Sequence, residues 1–376
     1  MDFAAGEQEQ MIRQAVAAYA EKSLQPSAAA RDVAGDLGPE TLKALAVLGV
    51  LGMGAAEQWG GLELDAAAQM AAFEELAAND AGVAYAVLQH HTLALGHLLA
   101  AGSPTQKAKY AKAFASGSAL ACWSHAEAND NLDGDFVATH ARQLGDGRWQ
   151  IDGHKDQVWL GALAKHAVIT AQTLDGLTAF VVDLASLGVS RQPCADMLGL
   201  RAAAAADLTF VKLCVADEAR LGAVGQAGPT IARLQAEAAL GVAAVALGIG
   251  RSALRAAAKY ALQREQFGKP IAVLQPIQWQ IANSTLDLAA ARVLVQRAAY
   301  AIGLGKSAGR EIAMAKFSAC DAASRIADRA IQIHGGYGYT MDFPVERAYR
   351  DAAVLQMLHG SSALQRVRIA QSLSAA

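Results

Sequence analysis

Arg264 is the residue in this chain best placed to hold a phosphate. It opens Arg264-Glu265-Gln266-Phe267-Gly268-Lys269-Pro270, at the end of a long stretch with helical periodicity, and Leu274-Gln275 follows closely. A guanidinium there can grip a pyrophosphate through paired, charge-assisted hydrogen bonds. The same side chain could instead satisfy the last carbonyls of its helix. A second stretch, residues 331–365, carries the other candidate contacts. A helical run ends at Gln332-Ile333-His334, and Gly335-Gly336 breaks it. A Pro-containing turn follows, and a new helix opens near Val345. Paired glycines let a backbone approach a ligand with no Cβ in the way. The stretch closes on His359-Gly360-Ser361-Ser362, a further break built of small polar residues. Helix end, glycine pair, helix and glycine break make a wall around something flat and charged.

The elements that must position these residues are mostly helices. Residues 7–20 are amphipathic, with Met11, Ala15, Ala18 and Tyr19 on one face. Pro26 ends that run. Helices are also expected over 40–47, 64–78, 83–101 and 107–115. Ser103-Pro104-Thr105-Gln106 reads as N-cap, N1 and N3 of the last of these. Composition then shifts. Residues 149–152, 167–170, 179–182 and 208–211 alternate like strands, with turns at Gly145-Asp146-Gly147 and Asp175-Gly176. From Pro229 the helical period returns and holds to the end. Residues 230–264 form one long helix. The next begins at Pro276 and carries Ile277, Ile281, Leu288, Val295 and Ile302 as a stripe. Helices over 310–333 and 345–357 complete an up-and-down four-helix bundle. The expected fold class is α+β in three parts: an N-terminal helical domain (1–116), a central antiparallel β domain (117–225) and a C-terminal four-helix bundle (226–376).

Composition narrows the function classes. The 376 residues exceed what one hydrophobic core usually serves. Net charge is -3, from 32 basic and 35 acidic residues without long blocks, so nothing draws the chain to nucleic acid or an anionic membrane. No uninterrupted apolar run is long enough for a membrane span, and Met1-Asp2-Phe3 is not the start of a secretory signal. Cys122, Cys194, Cys214 and Cys320 are widely spaced, which fits a reducing cytoplasm better than disulfides or zinc. A mean hydropathy of +0.20 points to buried subunit interfaces. No GxGxxG follows a strand, and HExxH, GxSxG and the P-loop are absent.

Taken together at this spacing, Arg264-x-x-Phe267-Gly268, Gln332-x-x-Gly335-Gly336 and the three-part order resemble the acyl-CoA dehydrogenase family from end to end. The resemblance implies FAD as cofactor, with Arg264, Phe267 and Gln275 holding the FAD of a neighbouring subunit. It places Gln332, Gly335 and Gly336 on the adenine and pyrophosphate side. Ser124 stands where the family has a flavin-contacting threonine, and Ser361 falls beside the second glycine break, also as a cofactor contact. The family's Trp-Ile-Thr is here Gln157-Val158-Trp159, so Trp159 takes the threonine position unless a two-residue shift restores the tryptophan. The substrate implied is an acyl-CoA or carrier-bound acyl thioester, and the acceptor an electron-transfer flavoprotein. The assembly implied is a homo-oligomer, dimer or tetramer, or a hetero-oligomer with a homologous subunit.

Several positions depart from the family. Its catalytic glutamate, in Glu-Gly-Thr, is His359 here. The alternative base position on the first bundle helix is Ala238. Its neighbour Glu237 is rotated about 100° away. The family's Thr-Glu-Pro-Gly-Ala-Gly-Ser-Asp run is Ser124-His125-Ala126-Glu127-Ala128-Asn129-Asp130-Asn131, and Ala202 to Ala206 replace its later hydroxyls. His90-His91 fall where the family lines its acyl pocket, although adjacent helical residues face different ways. Arg350-Asp351 matches a structural ion pair. Three readings follow. The chain desaturates an acyl thioester with His359 as base; it is a catalytically silent subunit beside a complete homologue; or it runs a different flavin chemistry.

Overall fold

The computed structural model describes residues 6–128 and 137–374; Asn129, Asp130 and Asn131 of the motif above lie outside them. The N-terminal part is helical: α1 Glu7–Tyr19, α2 Ala28–Ala34, α3 Pro39–Val47, α4 Ala66–Ala77, α5 Ala81–Leu88, α6 Gly96–Ala101 and α7 Pro104–Ala115. Ser103 caps α7 in a full capping box with Gln106. The helix expected over 83–101 is continuous but contains a π-helical segment, Gln89–Leu95, between α5 and α6. Such segments re-aim side chains and are frequent at functional sites. Asp80 starts α5 by accepting the Val83 N–H. The short helix α2 was not foreseen, because Pro26 reads as a stop; the chain passes it in a 3₁₀ turn and resumes.

The sheet follows in the order β6-β7-β3-β2-β4-β5-β8, with β1 beside β4. Its strands are β1 Ala121–Ser124, β2 His140–Gln143, β3 Trp149–Val158, β4 His166–Thr173, β5 Gly176–Asp183, β6 Val189–Pro193, β7 Ala206–Val215 and β8 Arg220–Leu221. Most neighbours are antiparallel, while β1 and β2 meet β4 in parallel across long connections. The β3–β7 ladder loses register between Lys155 and Val158. That bulge turns residues 156–159 towards the site.

The C-terminal part holds α8 Gly228–Gln263, the two-residue strands β9 Glu265–Gln266 and β10 Lys269–Pro270, α9 Gln275–Gly303, α10 Gly309–His334, α11 Pro344–Leu355 and α12 Ser362–Ser374. In length and composition α8 could cross a membrane, yet Glu237 and Arg251 bound its apolar run and most of its apolar window is buried in the core. It packs through small side chains. A Cβ at Gly248 would lie 2.5 Å from the Glu74 carbonyl oxygen and 2.6 Å from Ala77 Cβ, so only glycine permits this approach of α8 to α4. A buried ionic network pins the same helices: Glu74 and Glu75 on α4 meet Arg13 on α1, Arg251 on α8 and Arg292 on α9.

Buried histidines make the fold acid-sensitive. Burial pushes His91 and His97 down to about 4, and burial with nearby Lys316 pushes His359 to about 3. Burial also lowers His90, His166 and His334. These six gain protons on unfolding once pH falls below their ordinary value of about 6.5. Their contribution is complete above that value and is lost down towards pH 4, at roughly 1.4 kcal/mol per pH unit for each net proton. Asp351, pushed up to about 7 by burial, and Asp80, raised by burial, oppose the trend but are fewer. Urea midpoints are therefore expected to drop between pH 7 and pH 5; a flat or rising midpoint would contradict this balance.

Candidate active site

Six of the expected site residues, Trp159, His359, Arg264, Gln332, Gly335 and Gly336, lie at two cavities. The first, of about 420 Å³, lies between the sheet and the C-terminal helices, with Tyr85, Gln89, Trp123, His125, Trp159 and His359 in its wall. The second, of about 520 Å³, is an open groove where α8 and α10 end, and it collects Tyr260, Arg264, Gln332, Gly335, Gly336 and Tyr337.

His359 stands on a turn that two helices grip. Its φ is +51° and that of Gly360 is +86°, both in the left-handed region. Lys316 Nζ donates to the Gly360 carbonyl at 2.6 Å, and Gln365 Nε2 donates to the same oxygen at 3.1 Å. Lys316 is fully buried on α10, and burial lowers its pKa. On the cavity side, His359 Nε2 is 3.1 Å from Tyr85 Oη and 2.9 Å from Gln89 Nε2, and Gln89 Nε2 donates to Tyr85 Oη at 2.6 Å. Trp159 packs edge-on against Tyr85, ring centroids 4.9 Å apart. The imidazole is therefore neutral at physiological pH, held among donors and far below its usual range.

The opposite wall comes from β1 and the bulged end of β3. His125 stacks on Trp123 at 5.0 Å and bonds Thr170 Oγ1 through Nδ1. Burial pushes the Glu127 carboxyl up, but Lys155 and Thr139 outweigh it and hold Glu127 below the usual carboxylate range. Lys155 Nζ, fully buried, donates to Glu127 Oε1 at 2.8 Å and to the His125 carbonyl at 2.9 Å. Trp123 Nε1 and Ser124 Oγ are buried without a hydrogen-bond partner among the described residues, but Ser124, expected from the resemblance to touch the flavin, is fully buried and does not line the cavity. Buried donors are rarely left unmade. The indoles of Trp123 and Trp159 line the cavity, so a flat aromatic group such as a flavin suits the residues present.

The groove suits a phosphate-bearing ligand. Arg264 is exposed, and among the described residues its guanidinium forms no ion pair or hydrogen bond. Its backbone closes α8 without the side chain, through Arg264 N–H to the Tyr260 carbonyl and Ile271 N–H to the Arg264 carbonyl. Gly335 has φ +59° and ψ -136°, a conformation that favours glycine, with nothing within 4 Å of where a Cβ would be. Tyr260 stacks on His334 at 4.3 Å and fixes the end of α10. Phe267 and Gln275 lie outside the groove. Phe267, at φ +53° and 89 % exposed, sits at the tip between β9 and β10, and Gln275 is exposed at the start of α9. A strained, bare aromatic tip is a surface awaiting contact.

Other expected contacts are placed elsewhere. Ser361 lines neither cavity; its hydroxyl accepts the Leu364 N–H and starts α12. Arg350 and Asp351 do not pair with each other. Arg350 bonds Asp32 at 2.7 Å and Glu346 at 2.8 Å, while Asp351 accepts the Leu200 N–H at 2.7 Å. Adjacent helical residues point about 100° apart, which forbids the direct pair. Glu237 pairs with Arg233 at 2.5 Å, away from the main cavity. His90 and His91 do not line that cavity either. The Ala121 N–H donates to His90 Nδ1 and His90 Nε2 faces the Phe114 carbonyl, a structural tie, while His91 meets Gln69 beside a third cavity. Sequence reasoning missed Tyr85, Gln89 and Lys316. Gln89 adjoins the histidine pair that drew attention instead, and a lysine within the apolar face of a bundle helix was the one available signal for Lys316.

Two family models match the chain: acyl-CoA dehydrogenase, N-terminal domain, over residues 6–118, and acyl-CoA dehydrogenase, C-terminal domain, over residues 230–374. The chain is 35 % identical over 372 residues to the short-chain specific acyl-CoA dehydrogenase, mitochondrial, of Rattus norvegicus, covering 98 % of this chain and 90 % of that protein. It is 34 % identical over 374 residues to the caffeyl-CoA reductase-Etf complex subunit CarC of Acetobacterium woodii, covering 98 % of each. The structure of butyryl-CoA dehydrogenase from Megasphaera elsdenii superposes with a TM-score of 0.95 at 31 % identity, covering 100 % of both chains. With both terminal domains matched and the fold shared along its length, the chain belongs to the acyl-CoA dehydrogenase family.

Proposed function

We propose that this chain is an FAD-dependent oxidoreductase that converts an acyl thioester, on CoA or on a carrier, into its α,β-unsaturated form. The observation that carries the reading is the cavity that His359, Trp123 and Trp159 line together, whose two indoles suit a flat flavin. FAD, when bound, supplies the acceptor for the hydride that leaves the β-carbon. Gln332, Gly335 and Gly336 hold an adenine and pyrophosphate side. Arg264, Phe267 and Gln275, all exposed, reach the cofactor of a neighbouring subunit. His359 takes the α-proton, and Lys316 and Gln365 hold its turn in place. Trp279, Leu286, Val293 and Tyr300 form an exposed stripe at intervals of seven along α9, which supports assembly of copies through that helix. The relative named as a subunit of an Etf complex supports an electron-transfer flavoprotein as acceptor. The cysteine pattern supports a cytoplasmic setting.

A second reading is favoured by one observation: the imidazole is pushed down to about 3, which makes it a weak base. On that reading the chain is a silent subunit that completes the cofactor site of a homologue. Anaerobic addition of acyl-CoAs to the purified, yellow protein separates the two. Bleaching of the flavin band supports desaturation by this chain alone, and an unchanged band across a full thioester panel removes that reading.

A further inference from the structure

The Tyr85–Gln89–His359 triangle has a proton count that fixes more than its shape. Its three edges measure 2.6, 2.9 and 3.1 Å, and Tyr85 and Gln89 are 1 % and 2 % exposed. The Gln89 amide nitrogen brings two hydrogens, Tyr85 brings one, and an imidazole nitrogen without a proton offers one lone pair. If Nε2 carried a proton, two donors would face each other at 2.9 Å. Nε2 is therefore the bare nitrogen, engaged by Gln89, and the ring proton sits on Nδ1. So held, His359 offers no free lone pair to an α-proton. Turning the Gln89 amide by half a turn exchanges its oxygen and nitrogen within nearly the same shape. Gln89 Oε1 then accepts both the Tyr85 O–H and a proton on Nε2, and Nδ1 becomes bare.

We propose that Gln89 is a positioning residue whose amide orientation selects the tautomer of His359 and so decides whether the site holds a base, with Tyr85 anchoring either orientation. The inference rests on the reading that His359 receives the α-proton. In the base-ready orientation that proton passes from Cα to Nδ1, its bonding pair stays with the substrate, and the Nε2–H remains on Gln89 Oε1. Gln89 and Tyr85 are one helical turn apart at the junction of α5 with its π segment, so both address the same face. The charged and titratable groups around the imidazole are Lys316 behind it on α10, Arg368 from α12, and His125, Glu127 and Asp156 from the sheet. Among the described residues none of them bonds the ring, so the choice of tautomer rests with Gln89 and Tyr85.

The test is ¹⁵N-histidine NMR of the flavin-loaded protein, with the His359 signals assigned by their loss in His359→Asn. The wild type is expected to show the Nδ1–H tautomer. Gln89→Glu, which has no N–H to give, is expected to show Nε2–H, to reduce flavin with thioester at least tenfold faster, and to move the acid limb of the pH–rate profile upward. Gln89→Met has neither donor nor acceptor; it is expected to give mixed tautomers and keeps the test open should the glutamate variant fail to fold. A wild-type Nε2–H tautomer, or a tautomer unaltered in both variants, overturns the proposal. A tautomer that switches in a protein no thioester can reduce would leave Gln89 in its positioning role and end the desaturase reading instead.

Discussion

Replacing His359 with alanine is expected to slow thioester-driven flavin reduction by about 10²- to 10⁴-fold, the range typical of a lost general base. Flavin content should not change. The turn that carries residue 359 is held through backbone oxygens by Lys316 and Gln365, and neither contact uses the imidazole. Alanine bears the same left-handed strain that histidine bears there, so the backbone has no new reason to move. What disappears is the imidazole nitrogen that Tyr85 and Gln89 face in the wall of the cavity. Stopped-flow absorbance of wild type and variant under anaerobic conditions reads the effect. Equal rates would remove His359 from the mechanism. His359→Glu bears on the same point from the other side: a buried carboxylate is tuned upward towards neutrality, so a faster rate in that variant is consistent with a histidine that is too weakly basic.

The second large effect is expected at the groove. Arg264→Glu should weaken flavin binding by at least about 100-fold, since a charge-assisted contact is replaced by repulsion from a phosphate. The fold should survive, because α8 ends through the Arg264 backbone and the side chain is exposed. If Phe267 and Gln275 hold the cofactor of a neighbouring copy, Phe267→Ala should also shed flavin although its side chain touches nothing in its own groove. Flavin absorbance per chain after gel filtration measures both, and the same run reports assembly. Full retention of flavin in both variants would remove the groove from cofactor binding.

The sequence made the scaffold legible wherever local physics decides it. Caps, glycine stops and periodicity placed α7, α8 and α10 within a few residues of where they lie. The motif around Arg264 and the glycine pair were visible for the same reason: helix ends are written locally. The catalytic corner was not. Tyr85 and Gln89 meet His359 from 274 and 270 residues away, and no periodicity encodes such a contact. His90 and His91 drew attention by residue type, yet the π segment turns one into the backbone of β1 and the other towards Gln69. Arg350-Asp351 invited a neighbour pair that helix geometry forbids, and two of its real partners, Asp32 and the Leu200 N–H, lie 318 and 151 residues away along the chain.

The central claim is that this chain moves hydride from an acyl thioester to its own flavin. The most direct measurement is an anaerobic visible spectrum of the purified protein before and after a panel of acyl-CoAs. The account predicts a yellow protein whose flavin band bleaches with at least one thioester. A yellow protein whose band survives every thioester, or a colourless protein that takes up no FAD, would contradict it.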